Sequence, residues 1–364
     1  MRIITRYMLK ELGGPFVGSL FVLTMILAAG NIVQTVDMIM NKGVNFFQVL
    51  KIFLLFLPYV LIFTIPISVL SAVLLGFGRL SGDNEVTAMR TSGVNIYKIV
   101  LPVLVCGLII SLMNVPLNDK ILPESEFAAR KLVKRIGLKH PTAMLESGIF
   151  IKGFKDYIIF IHSVRGNTLE GIRIYQPQED RPTRTIIARE GKVIPIPEED
   201  SVKLHLLDGT ADEVAPDKPD EFYKLSFKDY YMTLNLEGGA GDNSIQKKAR
   251  EKSIRELKDD IRELQKDDIG VIPLRIEIHK KVALAFSSFV FVLVGIPLGI
   301  TTHRREKFIG FGMAIILFLV YWSIMLTGIA LAIRGIAPPW AGVWSANAVL
   351  LAVGAGMFYR ITRM

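Results

Sequence analysis

The sequence predicts an α+β membrane protein: six transmembrane helices in a three-plus-three layout, with a β-jelly-roll or sandwich domain inserted between helices three and four. Three observations predict it. Apolar runs near residues 15–36, 52–78 and 96–117 form one cluster, and runs near 282–302, 308–333 and 339–359 form a second. Each run approaches or exceeds the ~20 apolar residues that a helix needs to cross a bilayer. The block between the clusters is polar, with short β-type runs and turn residues. The 364 residues, 51% hydrophobic, therefore divide into helices one to three at 1–118, an inserted domain at 119–280 and helices four to six at 281–364.

The formal charge is +9. On a soluble protein that surplus suggests nucleic acid, but on a membrane protein it reflects basic loops on the cytoplasmic side, and no nucleic-acid partner is expected. The one cysteine, Cys106, lies in the third apolar run. That excludes a disulfide framework and a cysteine metal site. The five histidines (140, 162, 205, 279 and 303) are scattered, so neither a metal nor a cofactor is expected.

The first run follows Arg2, Arg6 and Lys10, and Ala28-Ala29-Gly30 resembles a cleavage region. Apolar character continues past it at Ile32, Val33 and Val36, so a retained helix is expected. The three cations recur every four residues and share one helical face, with Ile3, Tyr7 and Met8 around it. Two readings stand: a short interfacial helix leading into the span, or a simple topology anchor.

Prolines interrupt the runs at Pro58, Pro66, Pro102, Pro116 and Pro297, the last between Gly295 and Gly299. Membrane helices tolerate them where neighbours re-satisfy the backbone. The small-residue pairs Gly14/Gly18, Gly310/Ala314 and Gly328/Ala332 have the spacing for close helix approach. Trp340 and Trp344 suit an interfacial belt, whereas Tyr321 and Trp322 fall mid-span and read as bundle packing. No span carries Asp, Glu, Lys or Arg near its centre, which argues against an ion-driven carrier.

Lys/Arg bias sets orientation. One side carries Arg2, Arg6, Lys10, Arg79, Arg90, Lys98, Arg304, Arg305, Lys307, Arg360 and Arg363; the opposite short loops carry Lys42, Lys51 and Arg334. Both termini are thus expected in the cytoplasm and the inserted domain outside it, in the periplasm of a two-membrane bacterium.

Within the insertion, residues 119–145 read as a helical or irregular exit. Strands are expected at 157–161, 171–175, 184–188, 192–196, 202–206, 223–227 and 231–236, punctuated by Gly166-Asn167 and Asp208-Gly209. After the Gly-rich link at 238–241, a charged helix is expected near 243–268, because Ile254, Leu257, Ile261 and Leu264 form one stripe.

The chain has no G-x-x-x-x-G-K-[ST], H-E-x-x-H or G-x-S-x-G, so it supplies no ATPase site of its own and is not expected to be an enzyme. Ser244-Ile245-Gln246-Lys247 matches S-x-x-K but lacks companion motifs. The loop between spans two and three is more telling. In Asp83-Asn84-Glu85-Val86-Thr87-Ala88-Met89-Arg90-Thr91-Ser92-Gly93, Asp83 or Asn84 can cap a short helix near 83–92 and Gly93 can end it. Glu85 then sits in the first turn, where the helix dipole favours an anion. Val86 and Met89 share one side. Such a helix suits a groove on a soluble partner that carries arginines; a solvated loop is the plainer reading.

This loop resembles that of the lipopolysaccharide-export permeases, the LptF/LptG (YjgP/YjgQ) family. So do Arg6-Tyr7-Met8-Leu9-Lys10-Glu11 at the start, His279-Lys280-Lys281-Val282-Ala283 entering span four and Gly295-Ile296-Pro297-Leu298-Gly299 at its end. The resemblance covers essentially the whole chain and is closer to the F-type paralogue. It implies the permease subunit of an ABC transporter that extracts lipopolysaccharide from the inner membrane. It implies a heterodimer with a paralogous permease, a dimeric cytoplasmic ATPase, and a single-span periplasmic jelly-roll bridge protein that receives the lipid. Glu85 would be the acid that meets the ATPase, with Asp83, Met89 and Arg90 around it. Lys42, Lys51, Lys280, Lys281 and Arg334 are candidates for lipid phosphates, or else topology and interfacial anchors. The first span holds Asn31 and Gln34 but no lysine, a departure if family members use a cation there. The alternative function is a membrane-anchored scaffold whose β-domain is a binding module without transport.

Overall fold

A computed structural model describes residues 2–40, 44–139, 147–154, 157–165, 168–177, 183–196, 201–215, 218–235, 247–265, 270–302 and 307–363. Each of the six apolar runs lies in a helix: α1 (Arg2–Met40), α2 (Phe46–Gly82), α4 (Ile96–Pro116), α7 (Ile272–Thr302), α8 (Lys307–Ile333) and α9 (Pro339–Arg363). All six are long and apolar enough to cross a membrane. A short α3 (Glu85–Thr91) follows α2, and α5 (Leu122–Lys139) and α6 (Ile254–Leu264) flank the sheet in sequence.

The α+β class holds, with six apolar helices and an antiparallel sheet inserted between the third and fourth, and with two refinements among the helices. The basic lead and the first span are one continuous helix of 39 residues. At ~1.5 Å per residue that is roughly 58 Å, about twice the hydrocarbon thickness. The exit from α4 is also helical, through a π-helical turn at Leu117–Ile121 that carries the chain into α5.

The chain forms two compact units: Met1–Asn31 with Leu55–Phe127 and Lys247–Met364, and Ile32–Leu54 with Ala128–Gln246. In the first, α7 packs against α4, α8 and α9. Leu70, Leu74, Phe291, Tyr321 and Met325 make a core there. Tyr321 is fully buried, its ring 5.1 Å from Phe291, so the mid-span aromatics are packing as expected. Buried amides cross-link the helices: Asn114 Nδ2 donates to Ser288 Oγ at 3.1 Å and Asn347 Nδ2 to the Ala283 carbonyl at 3.0 Å. Of the small-residue pairs, Gly328/Ala332 marks a true close approach, since a Cβ on Gly328 would strike the Gly342 carbonyl on α9. Gly310 meets Leu75 on α2, while Gly14 and Gly18 meet nothing within 4 Å.

In the second unit, six antiparallel strands form one sheet in sequence order: β1 (Phe150–Phe154), β2 (Tyr157–Arg165), β3 (Thr168–Gln176), β4 (Arg184–Ile196), β5 (Ser201–Ala215) and β6 (Lys218–Asn235). Period-2 alternation puts one face into a core: Ile159, Ile161, Ile172, Ile174, Leu204 and Leu206 are at most 1% exposed, whereas Arg173 between two of them is exposed. The ladder matches these residues, Ile161 opposite Ile172 and Ile159 opposite Ile174.

The described strands are fewer and longer than expected. The runs at 184–188 and 192–196 merge into β4, and those at 223–227 and 231–235 into β6. Asp208-Gly209 is not a turn but lies inside β5. Asp208 takes a left-handed φ of 48°, and a Cβ on Gly209 would meet the Phe227 ring and the Ile187 carbonyl. The glycine is there for close approach, and ladders on both sides override the local turn signal. Strand β1 carried no expectation. Gly166-Asn167, Leu236 and the Gly-rich link lie outside the described residues.

Candidate functional site

Four helices meet where α2 ends. Met8 and Leu12 of α1, Phe77 and Leu80 of α2, Val86 of α3 and Ile300 of α7 belong to one apolar cluster, each at most 9% exposed. Gly76 admits Leu12, because a Cβ there would overlap its side chain, and a Cβ on Gly299 would come within 2.8 Å of Phe77 Cβ. The Ser81 hydroxyl donates to the Ile300 carbonyl at 2.7 Å, and Arg79 of α2 pairs with Glu11 of α1.

The chain turns from α2 into α3 at Asp83 and Asn84. Asn84 occupies the cap position as expected, but in left-handed conformation (φ 59°) and with no side-chain cap bond. Gly93, with φ +81°, ends the helix as expected; its N–H donates to the Arg90 carbonyl and that of Val94 to Met89, both at 3.0 Å.

Val86 is buried within the chain's own bundle and Met89 packs partly against the same cluster, so much of the apolar side of α3 is used within the chain, with Met89 half-buried. Sequence reasoning placed that patch outside because it did not foresee α1 beneath it. Glu85 begins α3 and accepts a hydrogen bond from the Tyr7 hydroxyl at 2.7 Å. Asp83 is exposed and Arg90 half-buried. Beside α3 opens a cleft of about 560 Å³, lined by Ile4, Thr5, Gly93, Tyr97, Lys98 and Pro102 among others. Tyr7 was not foreseen as part of this site, since the basic lead was read as an interfacial helix or a topology anchor.

The phosphate candidates are distributed differently. Lys280 pairs with Glu277 at 3.1 Å. Lys281 is 3% exposed, and its Nζ donates to the Asn118 and Arg250 carbonyls at 3.2 and 3.5 Å. Arg334 is exposed after α8, Lys51 is exposed on α2 within the second unit, and Lys42 lies outside the described residues.

Lys281 belongs to a polar seat for the segment that returns to α7. The Ile254 N–H donates to Asp119 Oδ1 at 2.6 Å, and the Arg250 guanidinium sits 5.8 Å over Tyr59 and 3.8 Å from Glu126. Ser253 and Glu256 form the capping box of α6, and Leu257 on its apolar stripe is fully buried. Lys247 pairs with Glu256 at 2.6 Å and, with Ser253, holds its carboxyl down to about 2. Lys247, the described residue of the S-x-x-K match, is thus an ion-pair partner. Of the charged helix expected near 243–268, the described part is a short 3₁₀ turn at Ala249–Glu251 followed by α6. No cluster of metal-ligating side chains occurs among the described residues.

The chain matches the family described as "Lipopolysaccharide export system permease LptF/LptG" over residues 6–360. It belongs to that family. It is 22% identical to the lipopolysaccharide export system permease protein LptF of Escherichia coli K12 over 357 residues, covering 96% of this chain and 93% of that one. The LptF of Shigella flexneri matches to the same extent. An uncharacterized protein of Rickettsia prowazekii, RP871, is 28% identical over 152 residues, less than half of either chain. As an LptF/LptG member with six apolar spans, the chain is a multi-pass inner-membrane permease of the lipopolysaccharide transport system, and its family role is transport rather than catalysis.

Proposed function

We propose that this chain is the F-type permease subunit of an ABC transporter that extracts lipopolysaccharide from the inner membrane and passes it to a periplasmic bridge. Its partners are a paralogous permease, a dimeric cytoplasmic ATPase and a single-span jelly-roll protein. The termini and α3 lie in the cytoplasm and the sheet in the periplasm, as the Lys/Arg bias supports. One observation carries the reading: α3 is bolted to the bundle by Val86 and Met89, with Glu85 at its start. A helix of seven residues has little stability alone, so force applied to it passes into α1, α2 and α7. Glu85 meets a cation of the ATPase, flanked by Asp83, Met89 and Arg90. The missing P-loop supports a separate energy source.

Lys42, Lys51, Lys280 and Arg334 contact lipid phosphates, Lys280 after release from Glu277, while Lys281 braces the return segment. The inserted domain passes acyl chains toward the bridge, its apolar interior shielding them from water once it opens to admit them, each buried CH₂ being worth about 0.8 kcal/mol.

The test is co-purification with lipid release. The chain brings down an ATPase, and Glu85→Ala and Glu85→Arg uncouple ATP hydrolysis from release of lipopolysaccharide. Normal export by both variants overturns the role of Glu85. Export that survives deletion of residues 81–92 overturns the role of α3 itself. No lipid release at all from an intact assembly favours the scaffold function.

A further inference from the structure

The Tyr7–Glu85 hydrogen bond joins residues 78 positions apart in sequence, and nothing in the permease reading of α3 requires it. Glu85 starts a helix whose N-cap residue makes no side-chain bond. Its side chain is long and carries several rotatable bonds, and ordering a side chain of this kind on binding costs affinity. Tyr7 is the opposite kind of group: a rigid ring with two χ angles, on a helix whose adjacent turns pack into the apolar cluster. On either side of it in sequence, Ile4 and Met8 face the apolar cluster, Met8 completely buried, and one turn further Leu12 is 8% exposed. Glu11 is paired with Arg79. The hydroxyl therefore sits at a place set by the bundle, not by α3.

We propose that Tyr7 is a positioning residue for the docking acid: it holds one oxygen of Glu85 in place before the partner arrives. A carboxylate offers about four acceptor sites and the Tyr7 hydroxyl occupies one, so this bond is compatible with an arginine or lysine of the ATPase on the same carboxylate. The bond also ties that contact directly to α1, without passing through α2. The proposal rests on the reading of Glu85 as the ATPase-facing acid, and the experiment separates the two.

Full permease complexes carrying Tyr7→Phe, Glu85→Ala or both are reconstituted in nanodiscs and titrated with the purified ATPase subunit. Phenylalanine keeps the ring and removes only the hydroxyl, so the thermal unfolding midpoint stays at the wild-type value. Tyr7→Phe weakens docking by about fivefold, the size of one solvent-exposed hydrogen bond. Adding Tyr7→Phe to Glu85→Ala changes nothing further, because the hydroxyl then has no carboxylate to hold. Wild-type docking by Tyr7→Phe beside weakened docking by Glu85→Ala overturns the proposal and leaves the role of Glu85 intact. Additive losses in the double variant overturn it too, since Tyr7 then acts independently of Glu85. Unchanged docking by Glu85→Ala overturns the reading of Glu85 and this proposal with it. If Tyr7→Phe lowers the unfolding midpoint, the role is structural and the proposal fails.

Discussion

Where α3 sits, Met8, Leu12, Phe77, Leu80 and Val86 close the bundle with carbon; where α6 sits, Lys281, Asp119, Glu126 and Arg250 close it with charge. Ile300 and Lys281 mark the two regions on α7, roughly 28 Å apart along the helix. The chemistry suits different duties. An apolar clamp is non-directional, weakly sensitive to salt and pH, and moves as a block, which is what a lever needs. A seat of carbonyl bonds and ion pairs is directional and adjustable. It fixes the register of the segment that returns from the sheet to α7.

The sharpest way to break this contrast is to put charge into the clamp. Val86→Asp is expected to cost about 3 kcal/mol or more, because an unpaired carboxylate enters a site that is 3% exposed. Thermal unfolding in detergent measures it, and a loss below about 1 kcal/mol shows that the α3 end is looser than its packing implies. The converse change removes the charge from the seat. Lys281→Met leaves the Asn118 and Arg250 carbonyls without their shared donor, at a cost of roughly 1–3 kcal/mol. Faster amide exchange across residues 249–264, with residues 85–91 unaffected, is the expected signature.

Acid distinguishes the ends more gently. Glu256 titrates at about 2 in the folded chain against an ordinary 4.5, so its contribution is fully present above about pH 4.5 and fades as pH falls toward 2. Amide protection in α6 should decline through that window, while protection at Leu12 and Phe77 changes less. Equal declines at both sites would erase the distinction. Salt has the smallest effect. Raising it from ~0.1 to ~1 M shortens the screening length from about 10 to 3 Å and weakens the Lys247–Glu256 and Lys252–Asp260 pairs by a few tenths of a kcal/mol. Exchange at α6 registers this; at the α3 end the Arg79–Glu11 pair weakens too, but the buried Leu80 and Val86 keep the change smaller.

Much of the architecture was legible because a bilayer imposes strong rules. Each apolar run had to be a helix, since the backbone satisfies itself in no other way within one segment. The α3 helix, its Gly93 stop and the apolar stripe of α6 also follow from local pattern. The sheet was read less well. Its strands depend on partners far along the chain, so Asp208-Gly209 reads locally as a turn and becomes part of β5 once β4 and β6 flank it. At the candidate site, Glu85 was identified from its place in α3, but its partner Tyr7 was not. No spacing rule links residues so far apart, and a tyrosine in a basic lead fits a membrane surface equally well.

By itself the sequence determined the number of spans, the place of the inserted domain, the absence of an ATPase site and the helix that bears the acid. Hydrophobic length, charge bias and capping are local quantities, and residues carry them wherever the chain goes. Only the tertiary structure decided that α1 runs unbroken from Arg2, that Val86 turns inward, that Lys281 is spent on carbonyls and that Tyr7 reaches Glu85. Those outcomes depend on which helices come close enough to compete for the same side chains, and glycines such as Gly76 and Gly328 set that distance.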